Sequence, residues 1–113
     1  MYVIRRVART HPGKAWSVAS YLIKICEAYE GKGRSKAQIF VGQGLPGDQN
    51  VAYAQWTQER IEPNFAAGIP EPVLELHRKM MEMVTDYTIE FYQLATPEEL
   101  KVRGGRQPGF APD

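Results

Sequence analysis

Apolar and polar positions alternate along this chain with two different periods. Residues 2–10, Tyr-Val-Ile-Arg-Arg-Val-Ala-Arg-Thr, are rich in β-branched and aromatic side chains and predict a strand. His11-Pro12-Gly13 breaks that run and opens a helix near Lys14. At 100° per residue, Val18, Tyr21, Leu22, Ile25, Cys26 and Tyr29 share one helix face, while Ser17, Ser20, Lys24 and Glu27 share the other. Trp16 and Ile23 fall on a flank outside this stripe, and Gly31-Lys32-Gly33 predicts a stop after residue 30. Residues 36–42 and 50–58 read as two further strands. The turn-rich loop between them, Gly42 to Gln49, predicts an antiparallel hairpin. Residues 59–70 read as irregular or as a short helical turn. A second helix starts at Pro70-Glu71-Pro72, where an acidic residue suits the positive end of the helix dipole. Its stripe is Val73, Leu76, Met80, Met83 and Val84, and residues 86–95 follow as a fourth strand. From Thr96 onward Pro, Gly and Arg dominate. The chain therefore divides into a domain over 1–95 and a flexible tail over 96–113.

The order strand–helix–strand–strand–helix–strand is the ferredoxin-like α+β pattern, βαββαβ, with a four-stranded antiparallel sheet carrying both helices on one face. Both parities of its strands are apolar. Ala52, Ala54 and Trp56 oppose Val51, Tyr53 and Thr57 on the third strand; Tyr87, Ile89 and Phe91 oppose Tyr92 and Leu94 on the fourth. The face without helices needs a cover, and a homodimer packing sheet against sheet would provide it.

Composition narrows the field. The 113 residues suffice for one domain and not for a catalytic domain beside a cofactor domain. Apolar residues form 43% and the net charge is +1, so the concentrated basic excess of a nucleic-acid or membrane-surface binder is missing. No stretch approaches the ~20 apolar residues of a membrane span. Arginines interrupt the apolar run at the amino terminus, unlike the core of a signal peptide. With one cysteine, Cys26, neither an internal disulfide nor a multi-cysteine zinc site can form. A reducing cytoplasm is the expected compartment.

Three segments carry a family resemblance: the opening strand followed by His11-Pro12-Gly13-Lys14, the hairpin strand ending in Trp56-Thr57-Gln58-Glu59, and the strand Tyr87 to Leu94. Over residues 1–95 the chain resembles the dimeric α+β barrel superfamily, and within it the NIPSNAP-like and antibiotic-biosynthesis monooxygenase-like branches. The resemblance implies a dimeric α/β barrel with a pocket between the sheet and the helices of each protomer, walled by the strand-end tryptophan. It also implies a range of activities: cofactor-independent oxygenation of polyphenolic substrates, isomerisation, haem degradation, or none assigned.

Several residues could carry chemistry. His77 lies beside Val73, Met80, Met81 and Val84 on the inward side of the second helix. It is either a core or cavity-edge histidine with a satisfied partner, or a general base or substrate hydrogen-bond donor, since imidazoles as a class exchange protons near neutral pH. Trp56 stands above Ala52 and Ala54, small residues that leave room which an indole could wall; the alternative is an aromatic core anchor. Met80 and Met81 would line the same space, and Tyr53, Tyr87 and Tyr92 are further hydrogen-bond donors. Arg5 and Arg6 point to opposite sides of the first strand. One faces inward or toward the dimer partner, where it could hold a carboxylate or phenolate, or pair with Glu90 on a neighbouring strand.

Sharper motifs fail. Gly42-x-Gly44 lacks the third glycine and the helix of a dinucleotide fingerprint. His11 and His77 are too far apart in sequence to predict a metal site. Cys26 sits on the core face without an activating base. No metal or organic cofactor is expected. Two functions remain. One is a small enzyme of secondary metabolism, a monooxygenase, isomerase or cyclase, that binds an aromatic or polyketide-like molecule between sheet and helices. His77 would be its base, and Trp56, Tyr53, Arg5, Arg6, Met80, Met81 and Tyr87 its binding residues. The other is a noncatalytic ligand-binding or accessory dimer. A cavity of about 300 Å³ or more holding Trp56 and His77 together favours the first.

Overall fold

The computed structural model describes residues 1–61 and 68–104. The elements are β1 (Tyr2–Thr10), α1 (Ala15–Glu30), β2 (Gln38–Val41), β3 (Val51–Gln58), α2 (Glu71–Met81), β4 (Val84–Gln93) and α3 (Pro97–Arg103). The four strands form one antiparallel sheet in the order β2-β3-β1-β4. This is the ferredoxin-like α+β architecture that the element order predicts. Among the described residues no helix is long and apolar enough to cross a membrane.

Strand parity sets the two faces. Ile4 pairs with Trp56 and Phe91, Arg6 with Ala54 and Ile89, and Ala8 with Ala52 and Tyr87, so these residues share the face under the helices. The stripe of α1 packs on it. Val18, Leu22, Ile25, Cys26 and Tyr29 are buried together with Ile4, Ala8, Ala52, Ala54, Trp56, Val73 and Met80. Trp16 and Ile23, off the stripe, are exposed. Gly13 takes φ +78, a left-handed conformation that suits glycine, and its N–H donates to Asn50 Oδ1, tying the β1–α1 turn to the hairpin. Gly42 has a different reason to be glycine. A Cβ there would stand 2.4 Å from the Asp48 carbonyl oxygen and 2.6 Å from Val51 Cγ1.

Two boundaries differ from the sequence reading. The apolar stripe of the second helix runs on in the sequence through Met83 and Val84, but α2 ends at Met81 and Val84 opens β4. The reason is tertiary: His11 N–H donates to the Met83 carbonyl and Thr10 pairs with Val84, so the end of β1 draws this segment into the sheet. The second correction concerns Thr96 onward, read as a flexible tail. Residues 97–103 instead form α3, where Thr96 Oγ1 accepts from the Glu99 N–H, Pro97 occupies the first turn and Gly104 closes the helix at φ +77. The remaining tail residues 105–113 lie outside the described residues, as do residues 62–67 of the segment read as irregular.

The helix-free face carries Val3, Arg5, Val7, Arg9, Tyr53, Gln55, Glu90 and Tyr92. It is more polar than its apolar positions alone implied. Val7 and Val51 are already buried within the single chain, where the β2–β3 loop folds back so that Asp48 pairs with Arg9. Phe40 and Tyr92 remain exposed on it.

Candidate functional site

A cavity of about 360 Å³ opens between the sheet and the two long helices. Its floor is the small-residue stretch of β3, where Ala54 leaves space beside Trp56. Its walls come from Leu22, Ile25, Cys26 and Tyr29 of α1 and from Val73, Leu74 and His77 of α2. Arg6 of β1, Tyr87 of β4, Arg34 of the α1–β2 connection and Ile69, just before α2, also line it. Trp56 and His77 thus border one space, whose volume is of the size used by small-molecule sites.

The side chains singled out from the sequence divide cleanly. Trp56, His77, Arg6 and Tyr87 border the cavity. His77 is half-buried and meets Tyr87 edge-on, with ring centroids 5.6 Å apart. Arg5 and Tyr53 do not border it: they lie on the opposite sheet face, where the Arg5 guanidinium sits 4.1 Å from the Tyr53 ring centre and 3.9 Å from Glu90. The alternation of β1 sends Arg5 outward and Arg6 inward. Met80 is buried in the core and Met81 is on the exposed side of α2, so neither methionine walls the cavity. Met80 and Met81 stand three and four residues from His77, to either side of it along the helix, and the packing of α2 turns the first into the core and the second toward solvent.

Arg34 was not among the predicted residues, and it is the least ordinary feature of the site. It is 7% exposed, in a segment between Gly33 and β2. Its guanidinium lies 4.0 Å from the Trp56 ring centre and 4.8 Å from that of Tyr29. Such stacking contributes about 0.5–2 kcal/mol per ring. Against this, Nε and Nη2 are buried without a hydrogen-bond partner, and each unmade bond costs about 1–3 kcal/mol. An arginine cannot escape by losing its proton. Nothing in the sequence marks this residue, because a basic side chain after a glycine ordinarily reads as solvated loop. Trp56 itself is anchored: its indole N–H donates to Gln58 Oε1 at 2.7 Å.

Burial pushes the Cys26 thiol above its ordinary value, with nearby Arg34 pulling the other way. Burial likewise raises the phenols of Tyr29 and Tyr87, opposed by Arg34 and Arg6. These groups therefore stay protonated in the fold where the unfolded chain would ionise. Below the ordinary thiol range both states keep their protons and stability is flat with pH. As pH rises through about 8.5–10, the unfolded chain releases protons first and stability falls. Urea midpoints measured across that range are expected to decline. Cys26→Ala is expected to remove the thiol's share of the slope, and an unchanged slope would contradict the assignment.

Among the described residues no three histidine, cysteine, aspartate or glutamate side chains cluster as a metal site would require. Chemically, the cavity combines stacking surfaces, one imidazole and two guanidinium groups. It can hold a flat molecule, neutralise negative charge and accept or donate a proton.

No family model matches the sequence, and no curated protein matches it. Solved structures do. A NIPSNAP domain protein from Burkholderia xenovorans superposes with a TM-score of 0.65 at 13% identity, covering 100% of this chain and 100% of that one. An antibiotic biosynthesis monooxygenase superposes with a TM-score of 0.63 at 15% identity, covering 85% of this chain and 100% of that one. A NIPSNAP family protein from Agrobacterium tumefaciens gives a TM-score of 0.63 at 13% identity, covering 85% and 86%. The chain thus has the ferredoxin-like α+β fold shared by monooxygenases of antibiotic biosynthesis and NIPSNAP proteins.

Proposed function

We propose that this protein is a homodimer whose protomers each bind an aromatic or polyketide-like small molecule between sheet and helices, and that it acts on that molecule without a metal or organic cofactor. The observation that carries this reading is the cavity of about 360 Å³ that both Trp56 and His77 border. The fold shared with an antibiotic biosynthesis monooxygenase supports the reaction class. Oxygenation without a cofactor requires an electron-rich substrate anion that reduces oxygen itself. The protein then supplies deprotonation by His77, a stacking wall at Trp56 and a site that limits water.

A hydroxylated anthrone, 1,8-dihydroxyanthrone, is a suitable probe. It takes up one oxygen molecule, gaining one oxygen atom as the anthraquinone carbonyl and releasing the other as water. Trp16 is 72% exposed while Trp56 is 4% exposed. In a Trp16→Phe background the fluorescence therefore reports Trp56 alone, the chain holding two tryptophans. Saturable quenching of that emission is expected, with oxygen consumption above the protein-free rate. His77→Ala is expected to keep the quenching and lower the oxygen uptake about 100-fold. Uptake unchanged by His77→Ala would remove the catalytic role. Quenching with no uptake in the unmodified protein would favour the noncatalytic ligand-binding reading.

A further inference from the structure

We propose that the cavity is an anion site whose ligand carries a carboxylate, with Arg34 as its anchor and Arg6 as the second neutralising charge. This rests on the small-molecule reading above and adds a chemical requirement to it.

Three observations converge. The first is which atoms of Arg34 are left over. Nε and Nη2 are the two nitrogens whose N–H bonds run parallel along one edge of the guanidinium, the edge that takes a carboxylate in bidentate fashion. The protein shows this pairing elsewhere. On α2, Arg78 Nε and Nη2 donate to Glu75 Oε2 and Oε1 at 3.0 and 2.7 Å. Arg34 presents the same edge with no carboxylate on it and the Cys26 thiol nearby. The second is charge. Arg6 and Arg34 both line the cavity; among the described residues neither has an ion pair, and no aspartate or glutamate belongs to the lining. Two buried or half-buried cations facing one space, with no acid beside them, are complementary to a negative charge. The third is the surroundings. The Arg34 guanidinium is stacked near Trp56 and Tyr29, and that of Arg6 lies 5.4 Å from the Tyr87 ring centre. A ligand with an aromatic body and a carboxylate satisfies both kinds of wall, and the planar acid fits the edge of a guanidinium better than a spherical ion does. Neither orphan nitrogen reaches bulk solvent. The acid therefore meets them from inside the cavity, with a tilt of the guanidinium.

The test compares 2-naphthoate with 2-naphthamide, nearly the same shape without the charge, by calorimetric titration of the full chain. The expected result is tighter binding of the acid by about tenfold or more, the effect of a charge-assisted bond over a neutral one. Arg34→Gln is expected to bring the acid-to-amide ratio close to one, Arg34→Lys to restore only part of it, and Arg6→Gln to lower it less than Arg34→Gln does. Arg78→Gln, on the exposed face of α2, should leave the ratio unchanged. The ratio, rather than either affinity, is the readout, because a merely structural arginine would weaken both probes alike. If Arg34→Gln fails to fold, the ratio in the unmodified protein and in Arg34→Lys and Arg6→Gln carries the test. Equal binding of acid and amide by the unmodified protein overturns the anion site and leaves the small-molecule reading standing. Binding of neither probe overturns this proposal as well, while saturable binding of 1,8-dihydroxyanthrone alone would still support the parent reading.

Discussion

Trp56→Ala is expected to destabilise the protein by about 3–5 kcal/mol, the range for removing a buried large aromatic. Several losses coincide at this position. The indole is 4% exposed and belongs to the same core cluster as Ile4, its partner across the β1–β3 ladder. Its N–H bond to Gln58 disappears, and the Arg34 guanidinium loses the face 4.0 Å below it while remaining charged. A cavity opens beside Ala54, which cannot collapse to fill it. Urea denaturation followed by circular dichroism measures the change. Trp56→Phe should cost less, because a ring remains for Arg34 while only the indole hydrogen bond and part of the volume are lost. If Trp56→Ala costs under about 1 kcal/mol, the residue is not the anchor that its burial implies. The ligand titration separates the two roles of the residue: Trp56→Phe, still folded, is expected to bind 1,8-dihydroxyanthrone more weakly than the unmodified protein.

The second large effect concerns the helix-free face. If two copies pack sheet against sheet, the unmodified protein sediments at twice its 12.8 kDa chain mass. Phe40 and Tyr92 are exposed on that face. In a two-fold interface each substitution appears twice. Phe40→Lys with Tyr92→Lys therefore places four added cations in one contact and should weaken association about 100-fold or more. At micromolar concentration the double variant is then expected to sediment as a single chain with its circular dichroism intact. A wild-type protein that sediments at the mass of one chain removes the dimer. The polar ladder on this face, Arg5 to Glu90 and Arg9 to Asp48, would then be sufficient to keep it in water.

These expectations differ in how far the sequence alone could have carried them. Where a feature is written in local periodicity, sequence sufficed. The alternation of β3 put Ala52, Ala54 and Trp56 on one face, and the helical stripe of α1 picked out its buried residues. The adjacency of Arg5 and Arg6 implied that one faces in and one out, but not which. That choice depends on which face receives the helices. The start of α3 also has a local signal, the capping pattern Thr96-Pro97-Glu98-Glu99, which a reading of this stretch from its prolines, glycines and arginines does not use.

The sequence by itself thus determined the order of the six elements from β1 to β4, the faces of each strand and helix among them, and hence the fold. It did so because side-chain direction repeats every two residues in a strand and every 3.6 in a helix. The tertiary structure alone decided three things: where α2 yields to β4, that both methionines leave the cavity wall, and that Arg34 is buried. Each depends on what distant segments bring to the same place. The end of β1 captures Met83 and Val84 through backbone bonds. The packing of α2 on the sheet fixes which flank of the helix meets the cavity. Arg34 is covered by rings from α1 and β3 that are close to it only once the chain has folded.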